Sequence, residues 1–140
     1  MIESIFNLTL TCAFIHCCDF SGLGAGISAD AFVRQEINTT IVEIDPAVYD
    51  AARKYFGLVY PGDDHVFLED ARNWVHKRRA AMQSENSSTF DIVVHDCFSG
   101  GGVPQHLFSV EFWNDLKSIM KPDGVVAVVR PNSRDLASPI

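Results

Sequence analysis

Four times along the chain a short β-branched or apolar run gives way to a segment of helical periodicity, and a fifth apolar run closes the series. Strands separated by helix-length segments cannot pair as tight hairpins. Each connection has to cross over the sheet, which makes the strands parallel and puts helices on both faces. The runs are residues 8–18 (LTLTCAFIHCC), 39–44 (TTIVEI), 65–69 (HVFLE), 90–96 (FDIVVHD) and 125–129 (VVAVV). The fourth is apolar along its length, as a strand covered on both faces should be.

The helical segments are residues 27–35, 46–56, 70–82 and 109–120. The second is the clearest. Asp45 can cap it, Pro46 suits its first turn, and Val48, Ala52, Tyr55 and Phe56 are expected to share its inward face. Ala71, Trp74 and Val75 are expected inward on the third helix, and Phe112, Leu116, Ile119 and Met120 on the fourth. Residues 84–89 (SENSST) read as a solvated loop and residues 121–124 (KPDG) as a turn. The expected architecture is one α/β domain over residues 1–140. It is a three-layer Rossmann-like parallel sheet, in a chain of single-domain size.

Ligands of such sheets bind beyond the carboxyl ends of the strands. The residues there are the glycine loop GLGAG (residues 22–26), Glu43, Asp70 and Asp96. Gly22 and Gly24 allow a tight turn and close backbone approach. Gly26 completes G-x-G-x-G, whereas a dinucleotide loop would place its third glycine at position 27; the spacing argues against a nicotinamide cofactor. No Lys or Arg follows the loop, so it is not a phosphate-binding P-loop. Glu43 lies about twenty residues on, where a carboxylate can accept both hydroxyls of a ribose. Asp70 can accept from an adenine amino group while the Ala71 N–H donates to the ring, and it can equally cap the third helix. Asp96 can draw a proton from an attacking amine or hold a cationic substrate. Neighbours on a strand point to opposite faces, so His95 is expected to pack under a helix while Asp96 faces the cleft.

Taken together, these segments resemble the class I S-adenosylmethionine-binding fold, and within it the spermidine synthase-like branch. GLGAG looks like the family's first motif, VEIDPAVYDAARKYF like its second-strand acid and helix, and EDARNWV like its third-strand motif. Residues 90–129 look like its fourth-strand aspartate, gate loop and following helix. The resemblance covers residues 22–129 and implies a sheet of strand order 3-2-1-4-5. It implies S-adenosylmethionine or its decarboxylated form as co-substrate, with Gly22, Gly24 and Gly26 passing the amino-acid part, Glu43 holding the ribose, and Asp70 and Ala71 reading the adenine. Asp96 becomes the catalytic group that deprotonates an attacking amine, in aminopropyl transfer for polyamine biosynthesis. Where spermidine synthases usually carry two further aspartates, this chain has Ala25 and Ser99. That removes negative charge from the amine site and favours the rival expectation, a methyltransferase. The helix after the second strand and the GGGVPQHL gate favour aminopropyl transfer, the leading expectation. A third is a non-catalytic domain that retains nucleoside binding or pairs through its fifth strand. The family fold normally adds two more strands, so the chain is expected to be a shortened form of a longer protein, its fifth strand an open edge suited to homo-oligomers.

Composition narrows the partners. The net charge is −7, and the densest basic run, HKRRA at residues 76–80, reads as a solvent-facing helix end, so nucleic acid is not an expected partner. A small-molecule amine or another nucleophile is. The apolar run at residues 4–18 is too short for a comfortable membrane span and lacks a basic leader, so no membrane is expected. The four cysteines (12, 17, 18 and 97) form no C-x-x-C pair, which suits a reducing, cytoplasmic compartment. No metal is expected: His16, Cys17 and Cys18 near His95 and Cys97 match no established zinc spacing.

Overall fold

The computed structural model describes residues 11–17, 23–82, 89–97 and 104–129. Five parallel strands form one sheet: β1 (Thr11–Cys17), β2 (Asn38–Val42), β3 (Val66–Phe67), β4 (Phe90–Cys97) and β5 (Met120–Val128), in the order β3-β2-β1-β4-β5. Four helices connect them: α1 (Ile27–Arg34), α2 (Pro46–Phe56), α3 (Ala71–Met82) and α4 (Val110–Ser118). The fold class is the one the alternating pattern calls for, and the strand order is the one the family resemblance implies.

Alternate residues of the central strands feed two separate cores. Ala13, Val42 and Val93 pack with Trp74 and Val75 of α3 and Phe112 and Leu116 of α4. Cys12, Ile41 and the partly buried Ile92 and Val94 pack with Ala29 of α1 and Tyr49 and Ala52 of α2. The period of two along a strand thus puts a helix pair on each face and gives three layers. The strands are pinned at their amino ends by Asp91. Its Oδ2 accepts from the backbone N–H and hydroxyl of Thr11, both at 2.8 Å, and its Oδ1 from Lys121 Nζ at 2.6 Å, joining β1, β4 and β5.

Local signals place the helices. Asp45 caps α2, its Oδ1 accepting from the Ala47 N–H at 2.8 Å ahead of Pro46. Ser109 caps α4 through the Phe112 N–H at 3.2 Å. The face of α2 differs from expectation. Tyr49 and Ala52 are buried, whereas Tyr55 and Phe56 are 70% and 63% exposed. The inward direction lies between Tyr49 and Ala52, which turns Tyr55 out, where Lys54 lies 5.0 Å from its ring. Phe56 is the last helical residue before the left-handed Gly57 and falls beyond the buried stripe.

The KPDG turn sits inside β5 rather than ahead of it. Phe90 pairs with Met120 and Ile92 with Val125, so residues 121–124 bulge from a strand that resumes its register afterwards.

Candidate functional site

The glycine turn is built on backbone geometry that side chains resist. Gly24 has φ 53° and Gly26 φ 71°. A Cβ at Gly26 would also lie 3.2 Å from Leu58 Cδ2. The Gly26 N–H donates to the Leu23 carbonyl at 2.7 Å, and the Gly26 carbonyl accepts from Asp30 at 2.8 Å, opening α1. Gly22, Ser99 and the glycines at 100–102 lie outside the described residues.

Glu43 follows β2 and is fully buried. Its Oε2 accepts from the Leu23 N–H at 3.0 Å and its Oε1 from the Asp45 N–H at 2.9 Å. Burial pushes its pKa up, against the pull of these N–H donors. The residue read from sequence as a ribose acceptor therefore also holds the glycine turn to the end of β2. Each oxygen keeps further lone-pair capacity, but a ribose reaches it only after its cover shifts.

Asp96, near the carboxyl end of β4, is half-buried, and burial alone raises its pKa. It lines a cavity of about 170 Å³ together with Ala25, Gly26, Ser28, Val94 and Val129. The fourth-strand acid and the glycine turn therefore share one hollow. That hollow is smaller than the roughly 300–1,000 Å³ of common small-molecule sites.

His95 points the opposite way, as strand alternation requires. Its ring is fully buried, edge-on to Phe108 with centroids 4.8 Å apart and tilted against Trp113 at 5.0 Å. Its Nε2 lies 3.2 Å from the Leu107 carbonyl, which can only accept, so Nε2 carries the proton. Among the described residues its buried Nδ1 has no hydrogen-bond partner, and burial lowers the ring's pKa. The ring is thus a neutral packing group.

Asp70 stands at the start of α3. Its Oδ1 accepts from the Asn73 N–H at 3.0 Å as a helix cap. Its Oδ2 lies 3.1 Å from His106 Nε2, 36 residues away on the turn Gln105–Leu107. Ala71 is fully buried beside it. Asp70 does not line the cavity of Asp96. Glu43 and Asp96 therefore meet the glycine turn, while Asp70 joins the turn after β4. His106 is a residue that sequence reasoning passes over. The local signs are Pro104, which opens its turn, and Ser109, which caps the helix after it; nothing in the spacing links it to Asp70.

Among the described residues no group of three or more His, Cys, Asp or Glu is placed to hold a metal. The side chains of His16, Cys17 and Cys18 lie outside the described residues. Cys12 and Cys97 are buried, and burial pushes the Cys12 thiol up to about 12. Among the described residues no helix is long and apolar enough to cross a membrane.

Comparison with known proteins gives consistent matches. The spermine/spermidine synthase domain model matches residues 31–136. An N-terminal histidine N-methyltransferase of Emericella nidulans is 43% identical over 107 residues, covering 76% of this chain and 18% of that protein. A polyamine aminopropyltransferase of Vibrio vulnificus is 35% identical over 107 residues, covering 75% of this chain and 34% of that protein. The crystal structure of human methyltransferase-like protein 13 in complex with SAH aligns with a TM-score of 0.65 at 26% identity, covering 85% of this chain and 53% of that one. The chain thus spans between 18% and 34% of the length of these two curated relatives.

Proposed function

We propose a function from one premise: this chain belongs to the spermine/spermidine synthase domain family, a branch of the class I methyltransferase fold. It is a group transferase that takes an S-adenosylmethionine-type sulfonium as co-substrate and an amine nitrogen as acceptor. The observation that carries this reading is Asp96, a half-buried carboxylate in the same cavity as the left-handed Gly26 turn. A carboxylate kept partly from water attracts a sulfonium or ammonium more strongly than an exposed one and, with its raised pKa, takes a proton more readily.

The donor set fits such a co-substrate. Gly24 and Gly26 offer bare backbone to its amino-acid end, Glu43 offers its remaining lone pairs to a ribose once its cover shifts, and Asp70 with the Ala71 N–H suits an adenine edge. When bound, the co-substrate supplies an electrophilic carbon on a positively charged sulfur, which departs as a neutral thioether. Asp96 takes the proton that the acceptor nitrogen sheds as its new bond to carbon forms.

Methyl transfer is the reading we favour for the group moved. Ala25 leaves the glycine turn without an acid to hold a polyamine cation, and the 43% identical relative is an N-methyltransferase. Aminopropyl transfer from the decarboxylated co-substrate is the second reading, supported by the family model and the Vibrio vulnificus aminopropyltransferase. The buried Cys12 thiol and the lack of any C-x-x-C pair suit a reducing, cytoplasmic setting.

Thermal stabilisation by S-adenosylmethionine, its decarboxylated form, methylthioadenosine and NAD tests the reading, because a ligand of the native state raises stability with its saturation. A larger shift with the intact donor supports methyl transfer, and a larger shift with the decarboxylated donor supports aminopropyl transfer. No shift with any of the three sulfur nucleosides refutes both and leaves a non-catalytic domain.

A further inference from the structure

We propose that His106 is a specificity-setting latch, holding the Asp70 oxygen that an adenine amino group takes on binding. The inference rests on the reading of Asp70 as an adenine acceptor and adds what controls access to it.

The two oxygens of Asp70 are divided between different elements. Oδ1 belongs to α3, accepting from Asn73 in the first turn. Oδ2 faces the turn after β4, with His106 Nε2 at 3.1 Å. An ionised carboxylate only accepts, so His106 donates from Nε2. An exocyclic adenine amine is also a donor, and both seek the same oxygen on its outward side. The pair is half open to water, His106 at 47% and Asp70 at 24% side-chain exposure, so its opening carries no large desolvation cost.

The turn that carries His106 is held from beneath, which makes the contact a hinged strap and not a loose surface pair. Leu107 is fully buried, and its carbonyl accepts from His95 in the aromatic cluster. The Leu107 N–H donates to the Pro104 carbonyl at 2.9 Å, and the Ser109 hydroxyl lies 3.4 Å from the His106 carbonyl. The backbone of the turn is thus fixed while the His106 ring swings on its own side-chain torsions. The present cavity by Asp96 is too small for a nucleoside and does not reach Asp70. Release of the ring from Oδ2 is the side-chain motion that frees the adenine end without moving the buried anchor. Adenine binding then exchanges one hydrogen bond for another, and a ligand lacking the 6-amino group cannot make that exchange.

The experiment measures S-adenosylhomocysteine and adenosine binding by calorimetry to the 140-residue chain and to its His106→Ala and His106→Gln variants, with thermal melts to confirm folding. His106→Ala removes the competitor and tightens nucleoside binding roughly two- to fivefold. His106→Gln, whose amide can still donate, stays near the wild type. Inosine, with an oxygen in place of the amine, gains nothing from His106→Ala. In the wild-type protein the His106 ring resonances shift when adenosine binds. If both ligands bind the wild type but His106→Ala leaves affinity unchanged or weakens it, the latch is overturned and the adenine site stands. If neither ligand binds any of the three folded proteins, the site reading fails and the latch fails with it. Should His106→Ala not fold, His106→Asn decides: its shorter amide cannot span the same gap and tightens binding if the latch exists.

Discussion

The Leu23 N–H donates to Glu43 Oε2 at 3.0 Å, so the glycine turn hangs from the acid that ends β2. The other oxygen of that carboxylate takes the Asp45 N–H, and Asp45 in turn caps α2. Two N–H donors aimed at two oxygens need an acceptor at both positions. Glu43→Gln presents an NH₂ group to one of them, leaving a buried donor facing a donor. Urea unfolding of this variant is expected to show a loss of about 1–3 kcal/mol, with nucleoside affinity reduced as the turn loosens. Glu43→Ala removes both acceptors and is expected to abolish ribose-dependent binding. A Gln variant as stable and as tightly binding as the wild type would mean that the turn does not depend on this carboxylate.

Asp96→Asn separates binding from chemistry. The amide keeps the size of the side chain beside Gly26 but cannot take a proton from an amine. Nucleoside affinity is expected to stay within a few-fold, while turnover falls by about 10²–10⁴. Because burial raises the Asp96 pKa, the wild-type kcat/KM is expected to rise with pH through a value higher than that of a solvent-exposed aspartate and to level off where Asp96 is ionised. An equal loss of binding and turnover in Asp96→Asn would instead make the residue a binding group.

His95 gives the fold a pH dependence of known sign. In the unfolded chain the ring takes a proton near pH 6.5, whereas burial among Phe108, Phe112 and Trp113 delays protonation in the fold to lower pH. Between the two values the unfolded state binds more protons, so this residue's contribution is complete above the unfolded pKa and is lost as pH falls through the window. Melting temperatures of the wild type and His95→Gln across pH 5–8 isolate it, since the other histidines are common to both. The difference curve is expected to slope below the unfolded value and to flatten above it. A difference that does not change with pH would show that His95 is not held neutral.

How far the sequence discloses this arrangement depends on the range of each interaction. The order of elements is legible because its signals are local: the Asp45–Pro46 start of α2, and the apolar run that makes β4 central. The opposed directions of His95 and Asp96 follow from the two-residue period of a strand. Contacts between distant segments are not encoded that way. Nothing in the spacing of Glu43 marks it as the anchor of Leu23, and nothing in VPQHLF joins His106 to Asp70. The same limit explains α2, where Tyr55 and Phe56 sit at plausible helical spacing but the roll of the helix against the sheet selects Tyr49. It also explains β5, whose irregular opening depends on pairing with Phe90.

The outer side of β5 is the last feature with a measurable consequence. Among the described residues β5 pairs with β4 alone, at the end of the strand order. Val125 is 59% exposed, and Val128 and Val129 are 39% and 43% exposed. Among the described residues the outer backbone of β5 is unpaired beside exposed valines and forms a template for another strand, its beginning blunted by the bulge carrying Lys121 and Pro122. The isolated 140-residue chain is therefore expected to self-associate through this edge, with a sedimentation coefficient that rises with concentration. Val125→Lys places a charge where a second strand would pack, and is expected to hold the chain as a monomer without lowering its melting temperature, because the side chain is mostly in water. A wild-type chain that stays monomeric as concentration rises, or a lysine variant that associates equally well, would rule out pairing at β5.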